Sequence, residues 1–65
     1  MPLTDREREI VRLIVEGHTN KVVAKRLGIS FKTVETHRLN IMRKLDCAGC
    51  ADLVRYAVRH QLATA

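Results

Sequence analysis

Between Ser30 and Leu45, Lys32, Glu35, Thr36, Leu39 and Arg43 recur at helical spacing on one side, while Val34, Ile41 and Leu45 recur on the other. The first group has the chemistry of base-edge contact. An ammonium such as that of Lys32 donates to guanine acceptors or to phosphate, and the Glu35 carboxylate can accept from a cytosine amino group. Thr36 and Leu39 can pack on thymine methyls. Arg38 lies at the edge of this face and can serve a base or a phosphate. Glu35 also has a purely local reading, as an early acid that favours the helix dipole and pairs three residues on with Arg38.

Thr19, Asn20, Lys21 and Thr33 stand at expected helix starts, where amides and hydroxyls suit phosphate oxygens. Thr19 can also act there as a cap. Asn40, Arg43 and Lys44 complete the set of phosphate candidates. The charged residues Arg6, Arg8, Glu9 and Arg12 read as a solvated face. His37 falls between the core side and the groove side, as a half-buried histidine does.

Other chemistry finds little support. Cys47 and Cys50 form a Cys-x-x-Cys, but His18, His37 and His60 are too scattered to complete a zinc site, and a redox pair would call for a strand and a βαβ setting. Both cysteines therefore read as small, partly buried side chains. No Ser-His-Asp arrangement, phosphate loop or carboxylate pair stands out, and no cofactor or catalytic residue is expected.

The elements that must carry these residues are helices. Thr4-Asp5-Arg6-Glu7 reads as a capping box, which predicts a first helix over residues 5–16 with Ile10, Val11, Leu13 and Ile14 inward and Gly17 as its stop. Thr19 or Asn20 caps a short second helix that buries Val23, Ala24 and Leu27 and ends at Gly28. Ser30 caps a third running to about Lys44. Residues 46–49 connect it to a fourth, which places Cys50, Leu53 and Ala57 inward and ends near His60 or Gln61. Residues 63–65 are expected to fray.

Composition agrees. The chain has 65 residues, and a chain this short hides only about 60% of the surface its unfolded form exposes, so residues 1–65 are read as one domain with one core. With one Phe, one Tyr and no Trp, that core must be aliphatic, and three Gly and one Pro are too few to punctuate a many-stranded sheet. The expected fold class is all-α, a compact four-helix domain. Twelve Lys and Arg against seven Asp and Glu leave a net charge of +5, which points to a polyanion as partner. A membrane surface would call for larger apolar anchors, and no secretion leader is visible at Met1, so a cytoplasmic location is expected.

The segment from Val23 to Val34 meets the demands of a helix-turn-helix. Ala24 is small where two helices cross, Gly28 suits a tight turn, and Val34 plugs the angle between them. The chain also resembles the LuxR/FixJ family of bacterial transcription regulators. The likeness is carried by Leu3-Thr4-Asp5-Arg6-Glu7-Arg8-Glu9-Ile10, Gly17-His18-Thr19-Asn20-Lys21, Ile29-Ser30 and Thr33-Val34-Glu35-Thr36-His37-Arg38. Asn40-Ile41-Met42-Arg43-Lys44-Leu45 and Leu53-Val54-Arg55-Tyr56-Ala57 extend it. The resemblance implies a four-helix domain whose third helix enters the major groove and whose fourth supports dimerisation. It further implies the effector domain of a two-component response regulator.

Several positions depart from the family pattern. Val22 stands where Glu is common and removes a second capping box. Gly49 and Cys50 replace a Ser-Arg pair, Gln61 replaces a Gly, and Glu35 replaces a Lys, so the family's site preference does not transfer. Ala51, Val54, Val58 and Leu62 share one flank of the fourth helix and are the candidate dimer contacts. The expected partners are double-stranded promoter DNA, a second copy of the chain and RNA polymerase. Two rival readings use the same fold: a promoter-reading region of a sigma factor, and a protein-interaction module that does not bind DNA.

Overall fold

Why the chain breaks where it does is visible in its caps. The computed structural model describes residues 3–61 and contains α1 (Asp5–Val15), α2 (Asn20–Leu27), α3 (Phe31–Leu45) and α4 (Cys50–Arg59), with no strand among the described residues. Thr4 caps α1 in a complete capping box: its hydroxyl accepts from the Glu7 N–H, and the Glu7 carboxylate accepts from the Thr4 N–H. Thr19 and Ser30 cap α2 and α3 with the hydroxyl alone, accepting from the Val22 and Thr33 N–H groups, and neither helix has the reciprocal half of a capping box. Gly49, at the start of α4, has no side chain to cap with.

Helix α1 packs against each of the other helices, and α3 packs against α2 and α4, whereas α2 and α4 do not pack on each other. The core between them is aliphatic. Ile10, Val11, Val23, Val34, Ile41 and Leu53 are fully buried, and the small Ala24 and Ala57 are buried with them. Each such Ile, Leu or Val contributes about 1.5–3 kcal/mol relative to exposure. Leu13, Leu27 and Leu45, expected inward, pack at the margin of this core.

Between α2 and α3 the chain turns on Gly28, whose φ of 68° is the left-handed conformation an L side chain resists. The Ile29 N–H reaches back to the Ala24 carbonyl at 3.0 Å, which fixes the angle at which α3 departs. This is the short Gly-containing turn of a helix-turn-helix.

One expected inward residue is not inward. Cys50 is exposed, because it is the first residue of α4, one turn ahead of the buried Leu53. Leu53 and Ala57 are buried as expected. The interface candidate Leu62 and the expected fraying of residues 63–65 lie outside the described residues.

Candidate nucleic-acid interface

Burial of Val34 and Ile41 fixes the rotation of α3, and that rotation turns Lys32, Glu35, Thr36, Leu39 and Arg43 to solvent. Leu39 is 53% exposed and Phe31, the first residue of the helix, 50%, so apolar surface stands among the charges. Phe31 has the spacing of the core side, three residues ahead of the buried Val34, and is exposed because it is the first residue of α3.

The polar groups on this face are not equally available. Thr36 already donates its hydroxyl to the Lys32 carbonyl at 3.1 Å, so its side chain offers a methyl and an acceptor. Arg38 is half-buried, and its guanidinium goes to Asn20 Oδ1 at 3.1 Å and to Cys50 Sγ. It therefore does not take up the local pair with Glu35, which has no ion-pair partner among the described residues. Lys32 and Glu35 are left as the exposed charged groups in the first turns of α3.

The structure brings the start of α2 to the same surface. Asn20, Glu35, Arg38, Leu39 and Met42 line one shallow open depression. Thr19 and Lys21 are exposed beside Asn20, and Thr33 is exposed with its hydroxyl 2.7 Å from that of Ser30. Asn40 and Arg43 are also exposed.

Lys44 is differently placed. Its ammonium lies 2.7 Å from Glu7 Oε1 on α1, and Glu7 is the buried acid of the described chain at 4% exposure. Burial pushes the Glu7 carboxyl up, but the Lys44 hydrogen bond, the Thr4 N–H and the Lys44 charge together outweigh it and hold the group below its ordinary value. No local pattern announces this pair, since its members stand 37 residues apart.

The remaining candidates stay at the periphery. On α1, Arg6 pairs with Glu9 and Arg8 with Asp5, both across exposed positions. On α4, Val54 and Val58 are 40% and 38% exposed, with Ala51 exposed on the same flank. Cys47 is half-buried, and burial, then the charges of Asp52 and Asp46, push its thiol up and away from the reactive thiolate. No cluster of metal-ligating side chains occurs among the described residues. No helix among them is long and apolar enough to cross a membrane.

A Gly-turned helix pair, an outward face of Lys, Glu, Thr and Leu on the second of those helices, and a net positive charge define a helix-turn-helix DNA-binding domain. Residues 1–57 match the family described as bacterial regulatory proteins, luxR family, and the chain belongs to that family. It is 53% identical over 62 residues to the uncharacterized response regulatory protein YgeK of Escherichia coli K12, covering 95% of this chain and 42% of YgeK. It is 52% identical over 59 residues to the transcriptional regulatory protein MctR of Rhizobium johnstonii, covering 91% of this chain and 28% of MctR. The oxygen regulatory protein NreC of Staphylococcus haemolyticus is 47% identical over 60 residues, 92% of this chain and 28% of NreC. The chain thus spans less than half the length of these relatives. It is a DNA-binding domain of the transcription-regulator type, and its family is one of regulators rather than enzymes.

Proposed function

We propose that residues 1–65 form the effector domain of a cytoplasmic two-component response regulator, and that this domain binds promoter DNA by laying α3 in the major groove. The observation that carries the reading is the outward face of α3, where Lys32, Glu35, Thr36, Leu39 and Arg43 project from a helix anchored by Val34 and Ile41. Lys32 donates to guanine or phosphate, Glu35 accepts from cytosine, and Leu39 with the Thr36 methyl meets thymine. Thr19, Asn20, Lys21, Thr33, Asn40 and Arg43 hold the flanking phosphates and set the register of the helix. Lys44 is left out of this set because Glu7 engages it.

Val54 and Val58 supply a self-complementary flank for a twofold partner, so the operator carries inverted half-sites. One helix contact is far smaller than a stable interface of about 1,600 Å², so dimerisation depends on DNA to hold two copies together. The response-regulator assignment is supported by the likeness to YgeK, a response regulatory protein.

The test is binding of the 65-residue chain to duplex DNA across a salt series. Affinity should fall steeply and linearly on logarithmic axes as Lys and Arg displace counterions. A flat response, or no binding, would refute the proposal and favour a protein-interaction module.

A further inference from the structure

Arg38 touches two helices that do not touch each other. From the middle of α3 its Nη1 donates to Asn20 Oδ1 at 3.1 Å, on the first residue of α2, and its Nη2 meets Cys50 Sγ, on the first residue of α4. Helices α2 and α4 have no packing of their own, so this guanidinium is a link between their starting ends.

The contact with Asn20 fixes a direction. A guanidinium has donors and no acceptor, so the carboxamide must turn its oxygen inward to Arg38. The amide nitrogen, on the other branch of the same planar group, then faces away from the guanidinium. Asn20 lines the open depression shared with Glu35 and Leu39, and exposed Thr19 and Lys21 flank it in the chain. That nitrogen has no hydrogen-bond partner among the described residues and is not a buried unpaired atom, so its two N–H donors are open to solvent and suit a phosphate oxygen. Two of the five N–H donors of the half-buried Arg38 are engaged, and extending the side chain to a base edge would draw it off Asn20 and leave that carboxamide free to rotate.

We propose that Arg38 is a positioning residue of the DNA interface: it reads no base, and instead holds the Asn20 carboxamide with its N–H donors turned outward to a DNA phosphate. The proposal rests on the DNA-binding reading above. It assigns Arg38 an indirect role and makes Asn20 the group through which Arg38 acts.

The experiment is a double-mutant cycle on the 65-residue chain with Asn20→Ala, Arg38→Met and the double variant. Each is measured on random-sequence duplex across a salt series and on sites selected from a randomised duplex pool. Asn20→Asp is added because it keeps an acceptor for Arg38 and places an acid at a helix start, which preserves the fold while removing the outward donors. Circular dichroism verifies that each variant is folded. Asn20→Ala and Arg38→Met should each weaken binding about tenfold on every sequence, equivalent to about 1.4 kcal/mol. The double variant should be no weaker than either single one, Asn20→Asp should be at least as weak as Asn20→Ala, and Arg38→Met should leave the salt slope and the base preference close to wild type.

Loss of preference at one base pair in Arg38→Met would make Arg38 a base reader and overturn the proposal. A salt slope reduced by about one would make it a phosphate contact and do the same. Losses that add in the double variant, or an Asn20→Asp that binds like wild type, would also overturn it while leaving the DNA-binding reading intact. A wild-type chain without salt-dependent binding would overturn both.

Discussion

Replacing Lys44 by Met should destabilise the domain much more than replacing Glu7 by Gln. The two side chains meet at 2.7 Å, and the Glu7 side chain is 6% exposed against 22% for Lys44. Met keeps the stem of Lys44 but strands a buried carboxylate, whose remaining donor is the Thr4 N–H at 2.8 Å. Removing one partner of a buried pair costs about 3–5 kcal/mol, and the partial openness of Lys44 puts this site near the lower end, about 3 kcal/mol. A domain of this size has roughly 3–10 kcal/mol in all, so the midpoint of thermal unfolding should fall by about 12–24 °C. Glu7→Gln leaves a neutral group that can still accept from Thr4 and an ammonium close enough to solvent to be hydrated. Its cost should be about 1 kcal/mol.

The same pair sets a pH dependence. Because Glu7 is held below its ordinary value in the folded state, the stabilisation is present above the unfolded carboxyl's value and is lost as pH falls through the folded one. Wild type should therefore lose stability below about pH 4, and Glu7→Gln should lose less over that range. The assay is thermal unfolding followed by circular dichroism at neutral pH and down an acid series, with DNA affinity measured where each variant is folded. A Lys44→Met that melts like wild type yet binds DNA more weakly, with a salt slope lower by about one, would refute the reasoning and return Lys44 to the phosphate contacts.

Three further changes test other parts of the account. Glu35→Gln should move the preferred base at one operator position from cytosine toward adenine in selections from randomised duplexes, and an unchanged selected site would show that Glu35 meets no base. Val54→Glu, at a 40% exposed position, should shift stability by no more than about 0.5 kcal/mol, leave binding to a single half-site nearly intact and abolish cooperative binding to a double one. Unfolding of the monomer, or equal loss on both sites in gel-shift titrations, would contradict that. Gln61→Gly should raise the melting temperature by about 2–4 °C, because Gln61 has a φ of 59° and the left-handed cost of about 1 kcal/mol exceeds the added unfolded-state freedom of glycine. A lower melting temperature would contradict it.

Helix starts and stops were legible because capping is local chemistry. Thr4 with Glu7, Thr19, Ser30 and Gly28 each act within a few residues of themselves, and each appears where expected. The rotation of α3 was equally legible from Val34 and Ile41, and it carries the candidate face with it. The illegible part is tertiary. Nothing near Lys44 in sequence indicates that it belongs to Glu7, and nothing near Arg38 indicates that Asn20 and Cys50 occupy it, since these partners meet only after the helices pack. Helical periodicity near an end is also weak evidence: Cys50 fits the inward spacing of Leu53 and Ala57 but stands at the exposed start of α4. The capless Gly49 and the left-handed Gln61 show that two departures from the family pattern have local structural consequences.

The central claim, that the outward face of α3 meets DNA, is tested most directly by titrating the ¹⁵N-labelled chain with duplex DNA and mapping amide shifts onto the helices. The account predicts the largest changes at Lys32, Glu35, Thr36, Leu39 and Arg43 and at the start of α2, with Arg6 and Glu9 on α1 nearly unmoved. Changes concentrated on α1 or on the Val54 and Val58 flank of α4, with the outward face of α3 silent, would contradict it.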